Sequence, residues 1–454
     1  MRVAIVGTGY VGITTGVTLA YLGHQVTCLD CDERKIELLR RGVFPIYEPH
    51  LEALGSQVHG RLSFTCHPEE AEPGAEVIFV AVGTPPQPDG NPDLSHLRAA
   101  AMAIGENLGG AYTVVVNKST VPIGSGNWVE ALVREGFEGR HAKRPDGRFS
   151  VASNPEFLRE GSALHDSLYP DRVVIGSDDP RALEVLYALY KPVLEQTFPA
   201  PVFLPRPEWL SAVPLITTNL ASAELTKYAA NAFLSLKISF INEIAQLAEK
   251  VGADIAQIAK AIGMDARIGA RFLQAGIGWG GSCFGKDTLA LIATGREYSL
   301  TMPIVAAARE VNQRQRERVI EKLLAELKIL KGRTVGLLGL AFKPHTDDLR
   351  DAPALDIARR LIDRGARVRA HDPVAMECAR RECASLPIGY SESPEALALE
   401  ADALVLVTEW PQYRDLPWPA LAQSMRIPLI LDGRNFLERD VLESAGFRYL
   451  AMGR

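Results

Sequence analysis

The octapeptide GGSCFGKD, Gly280 to Asp287, sets one cysteine among glycines, with Lys286 and Asp287 about one helical turn further on. A thiolate at Cys283 is a nucleophile that can hold an aldehyde covalently while hydride departs. The chain also opens on RVAIVGTGYVGITTG, a short apolar run followed by the spacing Gly7-x-Gly9-x-x-Gly12. In that setting the first glycine makes the turn, the second admits a pyrophosphate and the third lets helix pack on strand, as in loops that hold a dinucleotide. A nicotinamide carrier removes hydride. The two features together point to an enzyme that takes an alcohol to a carboxylate. Asp30, at the end of the next apolar run QVTCLD, is placed to accept hydrogen bonds from a ribose and to repel a 2′-phosphate, which favours NAD over NADP; Lys35 nearby weakens that preference slightly.

These residues need elements to position them. Residues 2–6, a helical pattern to Leu22 stopped by Gly23, and a strand ending at Asp30 make a βαβ unit. Further strands are predicted at 76–82, 113–118, 149–153 and 172–176, with helices between several of them and PPQPDGNPD (85–93) as a surface loop. From Ser222 a helical pattern runs unbroken to Gly252, long enough to join two domains and to supply a dimer face. At Lys331 a second βα pattern starts and reaches a strand ending in Asp372, but its turn, GLLGLAFK, lacks the G-x-G-x-x-G spacing, so this half is expected to bind something other than the dinucleotide. Alternation of strand and helix implies parallel sheets with ligands at the strand carboxyl ends. The fold class read from this is α/β: two Rossmann-like doubly wound domains joined by a long central helix, with divisions at 1–205, 206–310 and 311–454.

Composition narrows the function. A chain of 454 residues with 23% charged and 47% hydrophobic residues and net charge −6 fits a multi-domain enzyme without a basic stripe for nucleic acid. No signal peptide is legible after Met1 and no apolar run reaches bilayer length, so no membrane partner and a cytoplasmic location are expected. Cys28 and Cys31 form a C-x-x-C and Cys378 and Cys383 a C-x4-C, yet Cys28 falls in a predicted strand and Cys378 in a predicted helix; buried thiols are expected there, and no metal. His165, His345 and His371 lie near motifs without ligand spacing and are assigned no role.

GGSCFGKD, preceded by RIGARFLQAGIG, resembles the active-site segment of the UDP-glucose/GDP-mannose dehydrogenase family. VGTGYVG, VGTPPQPDG, KSTVPIGSG, SNPEFLREGSAL, SAELTKYAANAFLSLKISFINEIA, LGLAFKPHTDDLRDAP and LDGRNFL follow that family's order over nearly the whole chain. The chain departs from the pattern at Gly285, where proline is commonest, at His50, where glycine is common, and at Gln274, which replaces a frequent lysine that contacts the nucleotide.

The resemblance implies an NAD-binding domain, a central dimerisation domain and a UDP-sugar-binding domain, with NAD-dependent oxidation of UDP-glucose to UDP-glucuronate through a thiohemiacetal and a thioester on Cys283. Another nucleotide sugar, GDP-mannose or a UDP-N-acetylhexosamine, stays open as substrate. Asp287 would position a water as general base. Lys227 and Asn231, spaced i, i+4, would face a developing oxyanion. Glu156 and Glu160, at the same spacing, would flank the nicotinamide and the hydrolytic water, with Thr120 supporting either. Beside Gly7, Gly9, Gly12, Asp30 and Lys35, the cofactor would meet Tyr10, Val11, Thr84, Pro85, Thr120, Glu160, Lys286 and Arg350. The substrate would meet Glu156, Phe157, Leu158, Lys227, Asn231, Phe272, Gly276 and Gly280, with Arg267, Lys343 and Arg434 supplying positive charge. Arg267 would reach a neighbouring subunit's site, making a homodimer, or a higher oligomer, the working form. A simpler 3-hydroxyacid dehydrogenase has no use for Cys283 or the second Rossmann-like domain. A non-catalytic sensor would have lost one of Cys283, Lys227, Asn231 and Asp287.

Overall fold

Short apolar runs such as VIFV, VVIG, ALVL and LILD are buried along their whole length, the condition of strands covered on both faces in a parallel sheet. The computed structural model describes residues 1–454 and divides them into two compact units: Met1–Ala229 with Leu289–Tyr298, and Ala230–Thr288 with Ser299–Arg454. In the first unit, β1 (Arg2–Val6), β2 (Gln25–Leu29), β3 (Leu62–Thr65), β4 (Val77–Val80), β5 (Thr113–Asn117), β6 (Phe149–Ser153), β7 (Val173–Gly176) and β8 (Leu215–Thr218) lie in the order β3-β2-β1-β4-β5-β6-β7-β8. Only the β6–β7 pair is antiparallel. In the second unit, β9 (Thr334–Leu338), β10 (Arg367–His371), β11 (Ile388–Tyr390), β12 (Ala403–Leu406), β13 (Leu429–Asp432) and β14 (Arg448–Ala451) lie in the order β11-β10-β9-β12-β13-β14, all parallel. Both sheets reverse direction of growth beside their first strand, at the β1–β4 and β9–β12 junctions, and it is outside such junctions that doubly wound sheets take ligands.

Apolar clusters cover the two faces of the first sheet separately. The second sheet is enclosed by one cluster that includes Val335, Leu337, Leu404 and Leu431. A single helix runs from Leu220 to Val251, 32 residues without a break at Lys237; it begins in the first unit and ends in the second. Cys28 lies buried in β2, but Cys31 beyond its end is exposed and Cys378 in the Met376–Glu382 helix is half-buried, which corrects the expectation of buried thiols there; the six cysteines form no disulfide. No helix is long and apolar enough to cross a membrane.

At the end of the Pro68–Ala71 turn, burial pushes the Glu72 carboxyl up to about 8, with Glu106 and Glu69 adding to the rise and the Asn107 side chain opposing it. A carboxyl raised on folding favours the folded state most when both states are protonated. Relative stability is therefore greatest below the ordinary value of 4.5 and falls until the folded carboxyl itself ionises near 8. Glu72→Gln is expected to remove that slope, adding on the order of 2–4 kcal/mol at about pH 9 and little at about pH 5. Urea unfolding at both pH values measures it, and equal gains at the two would refute the assignment.

Candidate active site

The glycine loop after β1 has the geometry a dinucleotide needs. Gly7 has φ +100°, and a side chain there would meet Ala81 O at 2.7 Å; one at Gly12 would lie 1.9 Å from Gly7 O; at Gly9 nothing stands within 4 Å. The first and third glycines are thus required by the protein's own packing, while the second leaves open space at the start of the Tyr10–Tyr21 helix. Asp30 follows β2 and accepts from the Thr8 amide at 2.8 Å, the Thr8 hydroxyl at 2.6 Å and Lys35 Nζ at 3.1 Å. Burial pushes its carboxyl up, but the Thr8 donors, the Asp32 amide and Lys35 outweigh this and hold it below the usual range, so it stands charged where a ribose would sit. Val11 follows Tyr10 in the first helical turn. Thr84 donates to Thr120 O at 2.9 Å, tying the loop after β4 to the one after β5, and Pro85 O receives the Asp93 amide at 2.7 Å, closing the former loop on itself.

Glu48, which sequence reasoning passed over, ties this loop to the one after β6. Its carboxylate accepts from the Tyr10 hydroxyl and from the amides of Gly161 and Ala163, both at 2.7 Å. Its neighbour His50 has φ +67°; this left-handed backbone explains why glycine is common at that position.

Glu156 and Glu160 are not on one helical face. Residues 154–162 form no helix, because Pro155 interrupts the backbone, Glu156 accepts from its own Leu158 amide at 2.8 Å, and Gly161 turns with φ +81°. The i, i+4 inference is corrected accordingly. Lys227 Nζ instead reaches Glu156 Oε1 at 3.0 Å, with both side chains less than a tenth exposed, and stands 5.5 Å from the Phe157 ring centre. Lys118, also missed, is buried and donates to Asn154 Oδ1 at 2.9 Å. Burial pushes its amine down to about 8, Glu156 pulling it up and Lys227 pushing it further down. A lysine closing the apolar strand TVVVNK was the signal for it. Thr120 and Lys227 line one cavity in this unit.

In the second unit Cys283 is exposed and immediately precedes the Phe284–Glu297 helix, its carbonyl accepting from the Asp287 amide at 2.9 Å. Sγ lies 3.6 Å from Ser282 Oγ. At a helix N-terminus the dipole favours the thiolate. Asp287 is 1% exposed, accepts from Asn231 Nδ2 at 2.6 Å, and pairs with Lys286 at 2.9 Å. The carboxylate thus orients the amide that would face an oxyanion.

The neighbouring glycines serve the protein itself. A side chain at Gly280 would meet Asp351 O at 2.3 Å and one at Gly281 the Phe342 ring at 2.7 Å, so the protein's own packing requires glycine at both positions. Asn312 grips Trp279 through both its amide and its carbonyl, at 2.7 and 2.9 Å, Asn242 holds the Gly276 amide at 2.8 Å and Gln315 the Gly276 carbonyl at 2.7 Å. Arg434 braces the same loop at Gly278 O, 3.0 Å away, and also reaches Val407 O, just after β12, at 2.7 Å and Glu409 at 3.3 Å. Arg267 pairs with Asp265 at 2.6 Å and Arg350 with Asp348 at 2.7 Å. Lys343 lies 5.4 Å from the Phe342 ring centre, and Phe272, at φ +66°, sets its ring edge-on to Phe284.

A glycine cradle on a doubly wound sheet, with a charged aspartate at the ribose position, defines a dinucleotide-dependent dehydrogenase, and a cysteine heading a helix fits one that proceeds through a covalent adduct. The chain belongs to the UDP-glucose/GDP-mannose dehydrogenase family: residues 1–194 match its NAD binding domain, 221–314 its central domain and 336–439 its UDP binding domain. It is 44% identical to a UDP-glucose 6-dehydrogenase of Rhizobium meliloti, covering 100% of both chains. With one of Pseudomonas aeruginosa it shares 46%, covering 100% of this chain and 98% of the other. A UDP-glucose dehydrogenase structure from Pyrobaculum islandicum superposes with a TM-score of 0.87 at 42% identity, covering 99% of this chain and 96% of that one.

Proposed function

We propose that the chain oxidises UDP-glucose at C6 to UDP-glucuronate with NAD. The observation that carries this is Cys283 at the head of a helix in a chain similar from end to end to UDP-glucose 6-dehydrogenases. Gly7, Gly9, Gly12 and Asp30 would hold the cofactor, with Tyr10, Val11, Lys35, Thr84 and Pro85 around them. When bound, NAD accepts hydride, two equivalents for each sugar.

Lys227 and Asn231, one turn apart on the Leu220–Val251 helix, supply a cation and an amide donor to the oxygen at C6 as it gains negative charge. Cys283 Sγ attacks the aldehyde carbon, forming the C–S bond of a thiohemiacetal whose oxygen those donors stabilise. The thioester that follows is cleaved by water, with Asp287, Glu156 and Glu160 as candidates to take its proton and Thr120 to help orient it. Thiolate leaves and carboxylate remains. Arg267, Lys343, Arg434, Phe272, Gly276 and Gly280 are the proposed substrate contacts, Arg434 acting through the loop it braces. Lys286 and Arg350 are proposed beside the cofactor, and Phe157 and Leu158 beside the sugar.

Two NADH should appear for each sugar consumed, with no aldehyde released; a steady ratio of one with accumulating aldehyde would overturn the reading. Side-by-side turnover of UDP-glucose, GDP-mannose and a UDP-N-acetylhexosamine tests the substrate.

The working form is proposed to be a homodimer through the long helix. Phe233, Phe240, Leu247 and Val251 recur at spacings of seven, seven and four and are 61%, 47%, 59% and 67% exposed, an apolar stripe that a second copy would cover. Sedimentation is expected to give twice the chain mass, and Phe240→Glu with Leu247→Glu half of that; an unaltered parent monomer refutes it.

A further inference from the structure

At the carboxyl ends of β5 and β6 lies a small cavity walled by Asn117, Lys118, Thr120, Ser153, Glu224 and Lys227. Asn117 is 2% exposed, and neither its side-chain oxygen nor its nitrogen has a protein partner. A buried amide in that condition is costly unless something else satisfies it. Asn117 and Ser153 are in register across β5 and β6, so both side chains leave the same face of the sheet.

Ser153 Oγ donates to Glu224 at 3.2 Å, and Glu224 also accepts from the amides of Gly124 at 2.7 Å and Gly126 at 2.8 Å. This carboxylate clips the start of the Ser125–His141 helix, and with it the loop that carries Thr120, to the long helix that carries Lys227 one turn later. The space between these walls is about 10 Å³ for a water-sized sphere, which is room for one water.

We propose that this cavity is a binding site for a single water molecule, held by the Asn117 amide and solvating the Lys227 ammonium. Asn117 and Glu224 are then positioning residues for that amine. The charged groups lining the site are Lys118, directly after β5, and Glu224 and Lys227 from the long helix; Glu156, from the segment after β6, bears on it through its pair with Lys227. Two cations and one carboxylate line the space, so a water that solvates one ammonium bears on which lysine keeps its proton. Burial pushes the Glu224 carboxyl up, against the Gly124 and Gly126 amides and Ser153. The inference rests on Lys227 acting on the reacting oxygen.

A high-resolution crystal structure of the full chain is expected to place a water within hydrogen-bond reach of both Asn117 and Lys227. Asn117→Leu, similar in volume and without polar atoms, removes solvation from a buried cation. It should move the basic limb of the kcat profile to lower pH by about one unit, with the KM values for UDP-glucose and NAD within about two-fold. Asn117→Ser, which restores polarity and leaves room for water, should return the profile toward the parent's. A dry cavity, or an unmoved profile in Asn117→Leu, overturns the proposal. Should that variant not fold, Glu224→Gln makes the same comparison, and an unmoved profile there also overturns it. Lys227→Ala separates the two readings: full activity in that variant refutes the role of Lys227, whereas an inactive variant beside a dry cavity in the parent refutes only the water.

Discussion

Cys283→Ser is expected to lower the rate of UDP-glucuronate formation by on the order of 10³-fold or more, the scale seen when a covalent nucleophile is removed. A serine hydroxyl at neutral pH is almost wholly protonated, and the helix N-terminus that favours a thiolate does not bring an alkoxide within reach. Binding of both substrates should change little, because the loop around residue 283 is fixed by Asn312, Gln315, Asn242 and Arg434 rather than by the sulfur. Steady-state NADH formation gives the rate, and equilibrium titration gives the binding. Full-speed acid formation by the serine variant would end the covalent scheme.

The second large effect belongs to Lys227. Lys227→Met keeps most of the side-chain volume but leaves Glu156 charged and buried with its 3.0 Å partner gone. Breaking a buried pair from one side typically costs about 3–5 kcal/mol. On the proposed mechanism the same change withdraws a cation from the developing oxyanion, and loss of one such donor costs about 10²–10³ in kcat. The two effects are separable. Adding Glu156→Gln removes the stranded charge, so the double variant should recover a good part of the lost stability in urea without recovering the rate. Stability that does not respond to the second substitution would mean that Glu156 is not what Lys227 holds.

Much of the architecture was legible because strands buried on both faces and strand–glycine–helix turns leave local marks. The roles of Gly7 and Gly12 follow from spacing alone, and so does the unbroken helix from 220 to 251. What spacing does not carry is which distant group a side chain meets. Glu48 sits in an unremarkable IYEP segment, yet it joins Tyr10 to Gly161, which lies 113 residues beyond Glu48 itself. Glu156 and Glu160 share a helical interval but no helix, since Pro155 and a turn at Gly161 intervene. Nor does spacing reveal that a side chain at Gly280 or Gly281 would be excluded by Asp351 and Phe342. In each case the deciding fact is a contact made across the fold.

The second sheet contains a structural counterpart of Asp30. Asp372, at the end of β10, accepts from the amides of Leu340 at 2.7 Å and Ala341 at 3.0 Å after the positive-φ Gly339, much as Asp30 accepts from Thr8 after Gly7. A carboxylate fastening the turn that follows the first strand is therefore part of how this chain builds a βαβ corner, with or without a nucleotide. Anyone wishing to retool the enzyme for a phosphorylated nicotinamide must keep an acceptor for Thr8 while deleting the charge, since the carboxylate proposed to guard the ribose is also mortar for the corner.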